Sequence, residues 1–341
     1  MTEIESLLRP NVLGLKPYSS ARDEFSGNAN AWLDANENPF DHKGLNRYPD
    51  PHQTKLKARI SEVKKVSASN IFLGNGSDEA IDLLIRAFCR PGVDKVVTFS
   101  PTYGMYKVSA AINDVEVKEV PLNTDFQPAG DIGFIDDPKI KIVFLCSPNN
   151  PTGNLMDKEK VMELLKNFRG ITVIDEAYID FAKAESWKER LSEFPRLVVL
   201  QTLSKAYGLA GIRLGMAFAN AELIEILNRI KPPYNVSVLT QSEALRQLEN
   251  PRNVEIEVRS IWRERKKLSE ALLSLPLFAT IYPSDANFVF ATSPRADDVY
   301  SFLLRKGVVI RNRSSIFDGA LRITVGTPEE NNQIIELLRT F

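Results

Sequence analysis

The sequence predicts an α/β protein: a large domain built on a mostly parallel central sheet, followed by a smaller α/β domain. Two observations support this fold class. Short apolar runs rich in β-branched residues alternate with amphipathic stretches through the first two thirds of the chain, an order typical of helices packed on both faces of a parallel sheet. The chain also has 341 residues, of which 43% are apolar and 26% charged. These are ordinary globular values, and the length is sufficient for two domains.

The predicted elements of the large domain follow one another in strand–helix order. Strands are expected at residues 96–100, 141–147, 171–175, 197–202 and 214–219. Helices are expected at 79–89 and 158–168, where apolar residues recur at intervals of three and four.

The pattern changes after a helix that begins near Ala221, because Pro232 and Pro233 end it. Two long amphipathic segments follow at 237–249 and 254–274, then short strands at 286–291, 308–311 and 321–325, then a helix from Pro328.

We divide the chain into three parts on this basis. Residues 1–30 show little periodicity and are expected to form an extended arm that packs with the small domain. Residues 31–245 form the predicted large domain, and residues 246–341 form the predicted small C-terminal domain.

Charge and composition exclude several classes of function. The chain carries 43 Lys and Arg against 44 Asp and Glu, a net charge of −1, whereas a nucleic-acid partner requires a basic face. The longest apolar run has five residues, and a membrane helix needs about 20. Two histidines and two cysteines are too few for a usual metal site. We therefore expect no nucleic acid, membrane or metal partner, and a reducing, cytoplasmic location.

A glycine-rich turn follows the apolar run 71–73 and opens a helix. Gly76 allows a close approach of the backbone, and the N–H groups of Ser77 and Asp78 at a helix N-terminus can bind an anion. A dinucleotide fingerprint requires a small residue where Glu79 stands. A tight turn capped by Ser77 or Asp78 explains the same residues without any ligand.

Two further groups follow predicted strands. Asn150 lies in a loop with two prolines after the strand 141–147, and Asp175 ends the strand 171–175. In open α/β sheets, ligands bind beyond the carboxyl ends of the strands. A plain turn and a solvated acid are the alternatives.

A lysine among small residues follows the strand 197–202. Lys205 is a candidate nucleophile, because a desolvated amine has a lowered pKa and can attack a carbonyl. Thr202, Ser204 and Arg213 would supply donors for a phosphate.

Arginines mark the predicted strands of the small domain. Arg311 and Arg322 could each bind a carboxylate or phosphate through a guanidinium fork. Arg313 would share a face with Arg311 if that strand continues. Solvated arginines are the alternative, and this alternative is stronger for Arg313.

In this order, these segments resemble the fold-type-I aminotransferases that depend on pyridoxal 5′-phosphate (PLP). The resemblance covers nearly the whole chain. Narrower features are similar to the histidinol-phosphate aminotransferases, and they lie at 34–39, 46–49, 101–106 and 321–326.

The resemblance implies PLP as cofactor and a role for each matched residue. Lys205 would attach the cofactor and move the proton at the substrate Cα, and Asp175 would pair with the pyridine nitrogen. Asn150 and Tyr178 would hydrogen-bond the 3′ oxygen, and Tyr103 would stack on the ring. The phosphate would be surrounded by Gly76, Ser77, Asp78, Thr202, Ser204 and Arg213.

The resemblance also implies a homodimer, in which Tyr48 would reach the cofactor phosphate of the neighbouring subunit. Arg311 and Arg322 would bind the phosphate of histidinol phosphate and a carboxylate of glutamate. Tyr18 would help to close the site and Asn36 would line it. The pattern assigns no role to Arg313.

The implied reaction converts L-histidinol phosphate and 2-oxoglutarate into imidazole acetol phosphate and L-glutamate. An aromatic aminotransferase or a phosphothreonine decarboxylase of the same fold remains as an alternative. A non-enzymatic regulator of this fold is disfavoured, since no basic patch or extra domain is evident. A nicotinamide oxidoreductase is disfavoured by Glu79 and by the lack of a role for Lys205.

Overall fold

A computed structural model describes residues 2–16, 18, 29–41, 43–128 and 133–341. Its largest element is a seven-stranded sheet whose strand order is β1-β7-β6-β5-β4-β2-β3. The strands are β1 (Ile71–Asn75), β2 (Lys95–Ser100), β3 (Glu116–Pro121), β4 (Ile140–Cys146), β5 (Ile171–Asp175), β6 (Leu197–Thr202) and β7 (Leu214–Ala219). All neighbouring pairs are parallel except those that involve β7, which runs antiparallel to β1 and β6.

Helices cover both faces of this sheet. They are α1 (Pro10–Leu13), α2 (Thr54–Lys64), α3 (Ser77–Phe88), α4 (Met105–Ile112), α5 (Lys158–Asn167), α6 (Ala221–Ile230) and α7 (Val238–Leu248). Ile174 and Val199 pack on one side with α2, α5 and α7. Their neighbours Val173 and Leu200 pack on the other side with α3, α4 and α6. Because both faces are buried, the central strands are continuous apolar runs rather than alternating ones.

A second, antiparallel sheet follows, with the order β10-β11-β9-β8. Its strands are β8 (Thr280–Tyr282), β9 (Phe288–Thr292), β10 (Arg311–Asn312) and β11 (Ala320–Thr324), and its helices are α8 (Pro251–Leu273), α9 (Ala296–Arg305) and α10 (Pro328–Arg339). The long helix α8 joins the two halves: Val254 and Val258 pack into the core of the large sheet, while Leu268 and Leu272 pack into the core of the small one.

The predicted fold class is confirmed, and the predicted strands 171–175, 197–202 and 214–219 have the observed bounds. The strand β3 was not predicted, because it lies at the sheet edge, where Glu116–Pro121 is mostly exposed and lacks an apolar run. The strand expected at 308–311 is only the two residues Arg311–Asn312. The predicted boundary at 245/246 falls inside α7, and the division into domains stays a prediction.

The N-terminal segment differs from the extended arm expected for residues 1–30. Glu5–Leu7 form a 3-10 helix that α1 follows, and Ile4, Leu8 and Val12 are buried in the same core as α3 and α6. The N–H of Arg9 donates to the carbonyl of Ala87, 2.9 Å away, at the end of α3. Residues 4–12 therefore pack against the helices of the large sheet, whereas the sequence predicted that this segment packs with the small domain; residues 17 and 19–28 of the predicted arm lie outside the described residues.

Within the described ranges, no helix combines the length and the apolar character that crossing a membrane requires. The same ranges contain no group of three or more His, Cys, Asp and Glu residues that could hold a metal ion.

Candidate active site

A cavity of about 280 Å³ opens at the carboxyl edge of the parallel strands. It collects side chains from the ends of β4, β5 and β6, from the turn after β1, and from the small sheet. The predicted site residues that line it are Gly76, Ser77, Asp78, Tyr103, Asn150, Asp175, Tyr178, Thr202, Ser204, Lys205, Arg213, Arg311 and Arg322. Arg313 lines it as well. Residues that lie far apart in the sequence thus meet in one place.

Asp175 is the buried acid of this cavity. Its Oδ2 accepts a hydrogen bond from the hydroxyl of Tyr106 at 2.7 Å, and its Oδ1 accepts one from the N–H of Ala177 at 3.0 Å. Burial raises the pKa of Asp175 to about 6, although both hydrogen bonds act in the opposite direction. A cation beside this carboxylate would offset its desolvation and keep it ionised.

Lys205 lies on the turn that follows β6. Its Nζ is 5.5 Å from the ring centre of Tyr178. Burial lowers the pKa of Lys205, and the positive charge of Arg322 lowers it further. A larger share of the amine is therefore neutral near pH 7, which is the form that can act as a nucleophile or take up a proton.

The turn between β1 and α3 has the backbone geometry that could bind an anion. Gly76 precedes the helix with φ +72°, and no side chain caps the first turn. The backbone N–H groups of Ser77 and Asp78 therefore stand at an uncapped helix N-terminus, where a phosphate is favoured.

Gly215 on β7 makes this turn possible. A Cβ on Gly215 would lie 2.1 Å from the carbonyl carbon of Gly76 and 2.1 Å from the N of Ser77. The strand can therefore run against the turn only because this position has no side chain.

Polar side chains surround this turn. The hydroxyls of Thr202 and Ser204 lie 3.0 Å apart. Nη2 of Arg213 is 3.7 Å from Oδ2 of Asp78, and the hydroxyl of Tyr103 donates to Oδ1 of the same carboxylate at 3.1 Å. Asp78 thus positions the guanidinium of Arg213 and the phenol of Tyr103 beside the N-terminus of α3.

Asn150 connects the two sheets. Its Oδ1 accepts a hydrogen bond of 2.5 Å from Nη1 of Arg322 on β11. Its loop is held by Asn149, whose amide donates to the carbonyl of Pro101 at 2.9 Å and accepts from Thr102 at 2.9 Å. Arg322 is therefore presented to the cavity from a fixed position.

The three predicted residues Tyr18, Asn36 and Tyr48 do not line this cavity within the single chain. Tyr48 is half-exposed and stacks on Tyr234 with ring centres 4.4 Å apart. Tyr18 is exposed and lines another cavity, and Asn36 is exposed. The roles expected for them stay predictions.

Sequence reasoning missed two residues of the site, Tyr106 and Gly215. Tyr106 lies in the first turn of α4, three residues after Tyr103, which precedes that helix, and the two rings meet edge to face at 5.5 Å. The role of Tyr106 depends on its contact with Asp175, 69 positions away, and that of Gly215 on its contact with the turn after β1, so neither role shows as a local pattern in the sequence.

This fold and site define a class of protein. The chain belongs to the family of class I and II aminotransferases, whose family model matches residues 18–338. A histidinol-phosphate aminotransferase from Parabacteroides distasonis is 53% identical over 344 residues, covering 100% of this chain and 99% of the relative.

Solved structures show the same fold. The histidinol-phosphate aminotransferase from Clostridium acetobutylicum matches with a TM-score of 0.80 and 26% identity, over 87% of this chain and 91% of that chain. The L-threonine-O-3-phosphate decarboxylase from Porphyromonas gingivalis matches with a TM-score of 0.76 and 25% identity, over 87% of this chain and 91% of that chain. Enzymes that catalyse different reactions thus share this fold, and only the residues of the site can indicate which reaction is catalysed.

Proposed function

We propose that the protein transfers the amino group of L-histidinol phosphate to 2-oxoglutarate, with PLP as cofactor. The products are imidazole acetol phosphate and L-glutamate, as in histidine biosynthesis. The observation that carries the proposal is the meeting of Lys205, Asp175 and the arginines of the small sheet around one cavity. The sequence identity of 53% to a histidinol-phosphate aminotransferase, over the full length of both chains, also supports the proposal.

The residues present fit PLP at three points. Asp175 is a buried carboxylate whose pKa of about 6 calls for a cationic partner, and a pyridinium nitrogen is such a partner. The uncapped helix α3 suits a phosphate, with Thr202, Ser204 and Arg213 beside it. Lys205 supplies the amine for covalent attachment. Bound PLP supplies an electron sink for the charge that develops when the substrate loses its Cα proton.

The chain's own groups have distinct tasks in this proposal. Lys205 would move the proton between the substrate Cα and the cofactor carbon C4′, since its lowered pKa suits proton transfer near neutral pH. Asp175 holds a proton on the partner nitrogen by electrostatic attraction within a buried site. Tyr103 would pack against one face of the cofactor ring, and Asn150 and Tyr178 would donate hydrogen bonds to the 3′ oxygen of the cofactor.

Arg311 and Arg322 bind the distal anion of each substrate in turn. L-histidinol phosphate ends in a phosphate and 2-oxoglutarate ends in a carboxylate, and both match a guanidinium fork. Arg322 is already held by Asn150, so little side-chain freedom remains to be lost on binding.

We infer a homodimer in which Tyr48 reaches the cofactor phosphate of the partner subunit, while Tyr18 closes the site and Asn36 lines it. The exposure of Tyr48 in the single chain supports this arrangement. We also infer a cytoplasmic location, since Cys89 and Cys146 are buried free thiols, as a reducing compartment favours.

Product analysis distinguishes this function from its alternatives. Purified PLP-loaded protein is incubated separately with L-histidinol phosphate, phosphothreonine, phenylalanine and tyrosine, each with and without 2-oxoglutarate, and L-glutamate and carbon dioxide are quantified. We expect glutamate formation that depends on both L-histidinol phosphate and 2-oxoglutarate, and no carbon dioxide from phosphothreonine. Carbon dioxide release from a phosphorylated amino acid without any 2-oxoacid would establish the decarboxylase instead. Faster amino transfer from phenylalanine or tyrosine would establish an aromatic aminotransferase.

A further inference from the structure

The small sheet presents a third arginine to the cavity, Arg313, to which the proposed function gives no task. We propose that Arg313 is a specificity residue: with Arg311 and Arg322 it selects substrates whose distal group is a phosphate dianion over those that end in a carboxylate. This inference rests on the proposed function and deepens it.

The strand register places the three guanidinium groups on one face. Arg311 pairs with Arg322 across β10 and β11, and the N–H of Arg313 donates to the carbonyl of Ala320 at 2.7 Å, which extends the ladder by two residues. Side chains two apart on a strand share a face. The intervening Asn312 instead donates to Asp297 of α9 at 2.6 Å.

The backbone of Arg313 is held on both sides. Besides the bond to Ala320, its carbonyl accepts the N–H groups of Ile316 at 2.8 Å and Phe317 at 3.0 Å. The side chain therefore projects from a fixed turn, which is a requirement for a precise binding group.

Among the described residues, no acidic side chain neutralises the positive charge of these arginines. No ion pair between described residues includes Arg311, Arg313 or Arg322. The two acids that line the cavity, Asp78 and Asp175, already accept hydrogen bonds from other groups.

Two of the donors are also buried without an acceptor. The Nε atoms of Arg313 and Arg322 have no hydrogen-bond partner among the described residues, although buried donors are nearly always paired in native proteins. Burial and the neighbouring arginines lower the pKa of Arg313. An anion between these groups would satisfy the donors and relieve the repulsion.

The charge and the number of oxygens decide which anion fits best. A carboxylate has one negative charge and two oxygens, so one guanidinium fork satisfies it. A phosphate monoester carries nearly two charges at pH 7 and three terminal oxygens, with a second pKa of about 6. The guanidinium of a third arginine can therefore strengthen the binding of a phosphate, whereas a carboxylate leaves it without an acceptor.

The test compares two half-reactions of the PLP-loaded protein, one with L-histidinol phosphate and one with L-glutamate, in Arg313→Gln and Arg313→Lys. We expect kcat/KM for L-histidinol phosphate to fall by about 30-fold or more in Arg313→Gln, because a charged hydrogen-bond partner of the phosphate is lost. The value for L-glutamate should change by less than about threefold. Arg313→Lys should recover part of the loss, and Arg305→Gln, an exposed arginine of the same domain, is the matched control.

The pH dependence of KM is a second measurement, and it should not change if Arg313 only supports the fold. In the wild type, KM for L-histidinol phosphate should rise below about pH 6 as the phosphate loses its second charge, and this dependence should flatten in Arg313→Gln. Equal losses for both substrates, or an unchanged preference, would overturn the assignment. The glutamate reaction reports whether each variant is folded.

Failure of the proposed function would be visible separately, as a wild type that reacts with L-glutamate and not with L-histidinol phosphate. Glycerol phosphate then serves as the probe, since it carries the same phosphate group. Competitive inhibition of the glutamate half-reaction that weakens at least tenfold in Arg313→Gln would uphold the phosphate selectivity of Arg313. Equal inhibition of both proteins would refute it.

Discussion

The hydroxyl of Tyr106 lies 2.7 Å from Oδ2 of Asp175 and donates a hydrogen bond to it, although 69 positions separate the two residues in the chain. The phenol is buried and its ring stacks on Phe144 with centres 4.9 Å apart. The pKa of Tyr106 is raised well above its usual range by burial and by Asp175. Tyr106 therefore stays protonated and remains a hydrogen-bond donor at neutral pH. Its hydrogen bond makes the pKa of Asp175 lower than burial alone would make it.

Tyr106→Phe should shift the pH dependence of catalysis. The lost hydrogen bond lowered the pKa of Asp175, so its removal raises that pKa, and the acidic limb of the kcat profile should move to higher pH. We expect kcat near pH 7 to fall about tenfold, since a hydrogen bond to a charged group contributes about 1.5–3 kcal/mol. Tyr300→Phe in the small domain is the matched control. If the acidic limb of the kcat profile stays at the same pH in Tyr106→Phe, Tyr106 contributes packing alone and does not affect the pKa of Asp175.

Asp175→Asn should have opposite effects on stability and on activity. In the cofactor-free protein, the raised pKa of about 6 against 3.8 when unperturbed means that the folded state binds the proton more tightly. The acid therefore costs stability progressively as pH rises from about 4 to 6, by up to about 3 kcal/mol at 1.36 kcal/mol per pKa unit.

Urea unfolding of the cofactor-free proteins measures this difference. At pH 8 the free energy of unfolding of Asp175→Asn should exceed that of the wild type, and the difference should shrink below about pH 4. The loaded variant should bind PLP and lose most of its rate of amino transfer. A variant less stable than the wild type at pH 8, or one with an unchanged rate, contradicts this account of the buried carboxylate.

Lys205→Ala should abolish amino transfer and covalent attachment of the cofactor. Mass spectrometry of the loaded protein after borohydride reduction should show the mass of the cofactor on the wild-type chain and none on the variant. Lys166→Ala, at the exposed end of α5, is the control and should behave as the wild type does. Retained turnover in Lys205→Ala would refute the assignment of the nucleophile.

Gly215→Ala should weaken cofactor binding through the backbone. The new Cβ would lie 2.1 Å from the N of Ser77, so the turn at Gly76 must move away from the phosphate position. We expect the Kd for PLP, measured by fluorescence titration, to rise about tenfold or more. Gly211→Ala is the control, because no atom lies within 4 Å of its added Cβ. Equal affinities of the two variants would show that the turn tolerates displacement.

The inferred contribution of Tyr48 to the partner's site can be tested by mixing subunits. Lys205→Ala and Tyr48→Ala homodimers are each expected to be impaired. In a hybrid, one site carries both defects and the other carries neither, so activity should return on mixing to up to half of the wild-type value. The hybrid would stay as impaired as its parents if each subunit used its own Tyr48.

The parts of the site that the sequence predicted are local in the chain. Lys205 follows an apolar strand, Asp175 ends one, and the glycine turn at Gly76 opens a helix, so position relative to a strand end made each a candidate, and the resemblance to the aminotransferases gave it a role. The role of Tyr106 depends on a contact between distant elements, and that of Gly215 on a strand that approaches from elsewhere. Neither contact leaves a local pattern.

The fold shows the same division. The strands of the buried interior were recognised by their continuous apolar runs, whereas β3 at the edge and the two-residue β10 lack such runs. The antiparallel direction of β7 is a property of pairing and not of composition. Tyr48, by contrast, is exposed in one chain, and its predicted role requires a second chain.

The most direct test of the central claim is a half-reaction without any 2-oxoacid. L-Histidinol phosphate is added to the PLP-loaded protein, and the absorbance of the lysine-bound cofactor is followed. We expect that band to be lost as the amine form of the cofactor appears, and to return when 2-oxoglutarate is added. A loaded protein whose spectrum does not respond to L-histidinol phosphate would contradict the proposed transamination.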